Sequence, residues 1–309
     1  MRAFHDLDQA RTSSGSVLTI GTFDGVHRGH RRIIARVAQE ARMAGLQAGV
    51  LTFVSTPREV LRPDTPVSYL SSLEERIDLL REAGADFVVP VTFDRDLAGV
   101  TARDFARQLT DVLAMRRLVV GPDFAMGRRR EGTVPVLAEI GVELGFSVIT
   151  VDEVRNDTER VGSSAIRRLI VTDGNVDAAT AMLARPYSLS GSVVHGHHRG
   201  KALGFPTANI SIPARRAVPA DGVYVTRARL GNSRLQSVTN VGDNPTFRDE
   251  ERMIETHILD FDDDIYGQTL GVEFLTRLRG EETFPDADSL VRQMRQDVQN
   301  TREYLAQTE

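Results

Sequence analysis

The chain has 309 residues, 41% hydrophobic and 26% charged, enough for about two soluble globular domains. A net charge of −5 without a basic stripe argues against a nucleic-acid partner, and the lack of cysteine excludes disulfides and thiolate metal sites, which fits a cytoplasmic enzyme. No apolar run approaches the roughly 20 residues that span a bilayer, and no signal-peptide layout opens the chain, so no membrane role is expected. Arginine carries nearly all the positive charge. Lys201 is the only lysine, so the Gly-Lys-Ser/Thr of a Walker-type phosphate loop is absent.

In chain order, 17–20 reads as a short buried strand ending in a glycine turn, Gly21 to Gly25. A helix follows, with Ile33, Val37 and Ala41 in a four-residue repeat and Gly45 placed to cap it. Residues 49–53 form a second strand, and Ser72 with Glu75 makes a capping box for a helix ending at Gly84. A strand at 87–93, a helix at 101–113, a strand at 118–121, a helix at 134–144 and a strand at 147–151 complete the series. Such alternation predicts a mostly parallel, Rossmann-like sheet with helices on both faces.

After Pro186 short β segments dominate, at 189–195, 222–230, 235–241, 253–260 and 270–278, separated by turn-forming residues. One closing helix carries Leu290, Met294 and Val298 on a shared stripe. This pattern predicts an antiparallel β-barrel with a terminal helix, giving an α/β chain with domains at 1–185 and 186–309.

In GTFDGVHRGH (21–30) the glycines let the backbone approach a ligand, and His27 and His30 lie three apart on one face of a helix start. A phosphate there meets backbone N–H groups, the helix dipole and two imidazoles. A metal pair or a purely structural pair are the alternatives, though no carboxylate spacing completes a metal site.

The segment resembles the nucleotidylyltransferase signature. With PREVLRPD (57–64), VGPDFAMGR (120–128) and VGSSAIRRLI (161–170), it resembles the FMN adenylyltransferase half of bacterial bifunctional riboflavin kinase/FAD synthetases. The resemblance implies that Gly21, Thr22, Phe23, Asp24, Gly25, His27 and His30 hold ATP phosphates, with His27 and His30 serving catalysis. It likewise implies phosphate binding by Ser163 and Ser164, with Arg167 near the departing pyrophosphate and Asp123 beside nucleotide or flavin. From the residues alone, the serine pair reads as a helix N-cap. Where the family carries Asp-Pro-His-Pro, this sequence reads Val54-Ser55-Thr56-Pro57, short of an acid and a histidine, and Gly162 removes a hydroxyl.

In HGHHRGKALGFPTANI (195–210), Gly196, Gly200 and Gly204 suit a flap over phosphates, with Lys201 reaching them as a point charge. Pro206 fixes the chain so that Thr207 and Asn209 face the same way, and their side-chain oxygens suit Mg2+. His195, His197 and His198 sit on a glycine-rich turn and read as solvated rather than as a zinc site. Asp262, Asp263 and Asp264 likewise read as a solvated turn.

The run GFPTAN resembles the riboflavin kinase module, continuing through PADGVY (219–224), TNVGDNPTF (239–247), IETHILDFDDDIYGQ (254–268) and VEFLTRLRGEETF (272–284). Riboflavin's hydroxyl needs a proton acceptor, and the resemblance assigns that base to Glu255, with Arg279 as a flavin or phosphate contact. The implied partners are riboflavin, FMN, FAD and ATP/ADP, with Mg2+ as cofactor. The alternatives are a kinase whose N-terminal domain is inactive or altered in nucleotide or flavin choice, and a non-catalytic flavin-binding paralogue. The sequence leaves oligomeric state open between a monomer and weak self-association.

Overall fold

The computed structural model describes residues 2–155, 160–196, 200, 203–242 and 253–308. Two compact units emerge, Met1–Ser163 and Ser164–Glu309.

In the first unit the chain runs α1 (Arg2–Gln9), β1 (Ser16–Gly21), α2 (Arg28–Ala44), β2 (Gln47–Phe53), α3 (Pro57–Leu61), α4 (Leu73–Glu82) and β3 (Phe87–Val91). It continues through α5 (Arg95–Ala98), α6 (Ala102–Leu113), β4 (Met115–Val120), the short pair β5 (Ala125–Met126) and β6 (Gly132–Thr133), α7 (Val134–Leu144) and β7 (Ser147–Thr150). The sheet is parallel, in the order β3-β2-β1-β4-β7, as the alternating pattern predicts. Successive strand residues point to opposite faces, so Leu18, Ile20 and Leu118 pack with Leu7, Leu109 and Leu137. On the other face Val17 and Val119 meet Val37 and Ala41, while Val50 meets Ile34 and Leu80. Chain order reverses between β1 and β4, and ligands of such sheets bind outside the strand C-termini at that switch. The GTFDGVHRGH turn starts at the end of β1.

Local chemistry sets the helix ends. Ser72 and Glu75 form the expected capping box, and Gly45 takes a left-handed C-cap at φ 66°.

The second unit contains α8 (Ser163–Arg167), which begins at the unit boundary and runs into a π turn (Arg168–Thr172), then α9 (Val176–Leu183). Next come β8 (Tyr187–Val194), β9 (Ala208–Ser211), β10 (Gly222–Leu230), β11 (Ser233–Gly242), β12 (Met253–Ile258) and β13 (Thr269–Arg279), then α10 (Ala287–Thr308). The six strands close into an antiparallel barrel, β10-β11-β12-β9-β8-β13. Helix α9 packs on β13, with Thr276 Oγ1 donating to Asp177 at 2.9 Å, so 164–185 is compact with the barrel. On α10 the deeply buried positions are Asp297, Thr301 and Leu305, while the expected stripe of Leu290, Met294 and Val298 borders a cavity.

Candidate active sites

In the first unit, His27 is the N-cap of α2: its Nδ1 accepts from the His30 backbone N–H at 3.4 Å. The two imidazoles stack with centroids 3.6 Å apart, the one-face arrangement expected from their spacing. Gly29 makes the stack possible, because a Cβ there would press on the His27 ring at 3.2 Å. The edge of Phe23 closes on His30 at 5.1 Å. Burial, then His27, then Arg76 pull the His30 pKa well below its ordinary value, so the ring is neutral at physiological pH. Its Nδ1 is enclosed without a hydrogen-bond partner among the described residues.

The turn leading to this pair is strained and tied down. Phe23 and Val26 are left-handed at φ 50° and 39°, beside Gly25 at 77°. Asp24 is buried, and its carboxylate accepts from the backbone of Leu70 and Ser71 and from the Ser71 hydroxyl. Gly25 donates to Ser71 Oγ at 3.1 Å, Thr52 Oγ1 to Thr22 O at 2.9 Å, and Ser163 Oγ to Asp24 O at 2.9 Å. Asp24 and Ser163 thus brace the turn, which leaves Gly21 to Gly25 to present backbone. Asp123 is exposed at the end of β4: Arg160 meets its carboxylate at 3.2 Å, and Arg130 donates to its carbonyl at 3.1 Å. Ser164 and Arg167 fall on α8 in the second unit.

Sequence reasoning did not single out Arg76. It is 1% exposed, and its Nη1 donates to Phe53 O at 2.7 Å and reaches Thr52 Oγ1 at 3.4 Å. Its guanidinium lies over the Tyr69 ring at 5.7 Å, and no described carboxylate is within ion-pair distance. Buried beside His30, and drawn on electrostatically by the Asp24 carboxylate, Arg76 adds positive charge to this end of the unit.

The barrel carries a cavity of about 480 Å³ and a second of about 320 Å³, and Thr207 lines both. The larger is bordered by Glu255, His257, Asn240 and Arg279, the smaller by Thr256, Tyr266 and the 262–264 acidic turn. Asn209 pairs in register with Glu255 across β9 and β12. Its Oδ1 is buried without a hydrogen-bond partner among the described residues, a hard oxygen of the kind a small divalent cation takes. Gly196 packs against the Asn209 amide and Gly200 against Phe205 and Thr207, while Gly204 turns the chain at φ 87°. Lys201, His197 and His198 lie outside the described residues. His195 stacks on Tyr266 at 3.9 Å. Arg279 is held by the buried Asp297 through contacts of 2.8–3.2 Å, a partner the sequence reading missed. His257 is legible in the sequence as the same-face neighbour of Glu255, two residues along one strand.

A Rossmann-like sheet with a histidine-capped turn at its switch point, and a barrel with two cavities lined by one threonine, fit the class of nucleotide-dependent phosphorus-transfer enzymes. Residues 9–165 match the FAD synthetase family and 183–305 the riboflavin kinase family. The bifunctional riboflavin kinase/FMN adenylyltransferase of Escherichia coli strain K12 is 37% identical over all of this chain and 98% of its own. That of Bacillus subtilis strain 168 is 32% identical over 94% and 93%. A solved Streptococcus pneumoniae structure described as a macrolide-efflux protein superposes with a TM-score of 0.89 at 33% identity, covering 96% of both chains. Among the described residues no helix of the present chain is long and apolar enough to cross a membrane. The chain belongs to the family of bifunctional riboflavin kinase/FMN adenylyltransferases.

Proposed function

We propose that the two activities of this enzyme, ATP-dependent phosphorylation of riboflavin to FMN and adenylylation of FMN to FAD with release of pyrophosphate, divide between functional domains 1–185 and 186–309. The barrel half is the kinase. The observation that carries this reading is Thr207 at the meeting of the two cavities, where a flavin in the larger and a nucleotide in the smaller present hydroxyl and phosphate to one another. Glu255 accepts the proton of the riboflavin hydroxyl as its oxygen attacks the γ-phosphorus, and ADP leaves. Thr207 and the open Oδ1 of Asn209 would hold Mg2+, which when bound neutralises phosphate charge. Gly196, Gly200, Lys201 and Gly204 form the phosphate flap, and Arg279 borders the flavin.

In the other half, the FMN phosphate is largely dianionic near pH 7, since its second pKa is about 6, and attacks the α-phosphorus of ATP without a protein base. The α2 N-terminus, His27 and His30 stabilise charge on the transferring phosphoryl group; Ser163, Ser164 and Arg167 serve the leaving pyrophosphate, and Asp123 borders the nucleotide or flavin. The acidic net charge and absent cysteine support a cytoplasmic enzyme working without nucleic acid.

The test incubates the purified chain with riboflavin, ATP and Mg2+ and resolves FMN from FAD. Glu255→Gln should form no FMN yet convert supplied FMN to FAD, whereas His30→Ala should stop at FMN. Accumulation of FMN without FAD by the unmodified chain would overturn the adenylyltransferase half. Full kinase activity in Glu255→Gln would overturn the base.

A further inference from the structure

On β12 the side chains alternate: Ile254, Thr256 and Ile258 are buried in the barrel, and Glu255 and His257 share the opposite face. Both border the larger cavity. The β9–β12 ladder pairs Ile210 with Ile254, Asn209 with Glu255 and Ala208 with Thr256, and there it ends. The next step would set Thr207 opposite His257. Backbone pairing stops one residue short of the hydroxyl on which the kinase reading depends.

The His257 side chain takes over where the ladder stops. Its Nδ1 lies 2.8 Å from the carbonyl oxygen of Pro206. A carbonyl only accepts, so Nδ1 carries a proton and donates. Proline has no N–H, so Pro206 adds no donor to the ladder. The Pro206 carbonyl and the Thr207 nitrogen share one rigid peptide plane, so anchoring the oxygen orients the backbone from which the Thr207 side chain departs. The Phe205 ring meets the imidazole edge-to-face at 5.5 Å and 72°, which limits its swing.

We propose that His257 is a positioning residue for the kinase. It is a strut from the strand that carries Glu255 to the Pro206–Thr207 peptide, and it fixes the distance between the base and the nucleotide-facing hydroxyl. The strut acts through Nδ1 and a backbone oxygen, so it sets how MgATP is received. This inference rests on the assignment of Glu255 and Thr207 to the kinase site.

Three substitutions separate a strut from a packing or substrate-contacting role. Asn places an amide N–H near the Nδ1 position, Gln places one near Nε2, and Leu supplies neither. Expected for His257→Leu is a KM for MgATP raised about tenfold, the factor one net hydrogen bond is worth. The kcat at saturation and the KM for riboflavin should stay within about twofold of the unmodified chain, a narrow margin against that tenfold effect. His257→Asn should recover most of the loss and His257→Gln little of it. The unchanged kcat and KM for riboflavin report that the barrel is folded, and conversion of supplied FMN to FAD, carried by the other half, should be unchanged in all three. An unmoved KM for MgATP in His257→Leu overturns the strut, as does rescue by Gln rather than Asn, or a loss confined to riboflavin. Glu255→Gln and Thr207→Val run alongside. If both keep full kinase turnover the site assignment fails; if both lose it while His257→Leu is unaffected, only the strut fails.

Discussion

The Tyr69 phenol donates to Glu59 Oε2 at 2.6 Å and accepts the backbone N–H of Thr56 at 3.0 Å, clamping the segment that follows β2. Thr56 also caps α3, its hydroxyl accepting from the Glu59 N–H at 3.3 Å. Phe53, the last residue of β2, follows Thr52, which pairs with Gly21 at the start of the 21–30 turn. Residues 54–57 therefore leave the sheet beside that turn. Tyr69 thus fastens this loop from outside it.

Tyr69→Phe should test the clamp. It leaves the part-buried Thr56 N–H without its partner, which costs about 1–3 kcal/mol, and frees the loop beside the 21–30 turn. FMN adenylylation should fall severalfold while riboflavin phosphorylation by the same chain holds. Equal loss of both activities would point to global destabilisation instead. Burial first, and the hydrogen bond to Glu59 second, raise the phenol pKa above 10.0. A raised folded value means the folded state holds the proton more tightly. Its stabilisation is full below 10.0 and is lost as pH rises through the folded value. Tyrosinate absorbance of the unmodified chain minus the Tyr69→Phe variant should show this late-titrating phenol.

The geometry of the 21–30 turn was legible because its parts lie within ten residues, and the spacing of His27 and His30 sets their stacking. Arg76 was not legible, since a lone arginine in a helix with Glu74 and Glu75 reads as a solvated face. Its burial comes from partners more than twenty positions away, Thr52 and Phe53, which only the folded sheet brings near. The closing helix misled in a subtler way. Its apolar residues Leu290, Met294 and Val298 do share one face, yet that face borders a cavity in which Asp297 holds Arg279.

His30 gives a pH dependence of definite sign. Its folded pKa lies below the unfolded 6.5, so between those two values the unfolded chain binds more protons than the folded one. Stability therefore rises with pH across that window, and the contribution is lost as pH falls through the folded value. Denaturant melts between pH 5 and 8 should show a shallower acid-side slope in His30→Gln than in the unmodified chain. A bound phosphate ester should raise the His30 pKa, visible as a shift of its imidazole proton resonances on titration with ATP. Identical slopes in the two chains would refute the buried neutral imidazole.

Arg279 and Asp297 form a mostly enclosed pair, with side-chain exposures of 15% and 5%. Asp297→Ala strands the guanidinium, and breaking a buried pair from one side costs about 3–5 kcal/mol. The barrel unit should lose thermal stability by that margin, and kinase turnover should fall with it. Replacing both residues, as Arg279→Met with Asp297→Leu, should recover much of the stability without restoring turnover, because the cavity loses its cation.

Gly196 tests the metal-ligand assignment without touching a ligand. A Cβ at this position would overlap the side-chain amide of Asn209, whose Oδ1 is the open acceptor. Overpacking of this kind costs about 1–3 kcal/mol, and here the amide must rotate or retreat to relieve it. Gly196→Ala should therefore raise the Mg2+ concentration for half-maximal riboflavin phosphorylation and lower kinase kcat/KM by about tenfold or more. FAD formation from supplied FMN should be unaffected. Backbone freedom cannot explain such a loss, because Gly196 is not among the residues at positive φ, so alanine is excluded by the neighbour alone. If Gly196→Ala keeps the Mg2+ dependence of the unmodified chain, Asn209 does not hold the cation.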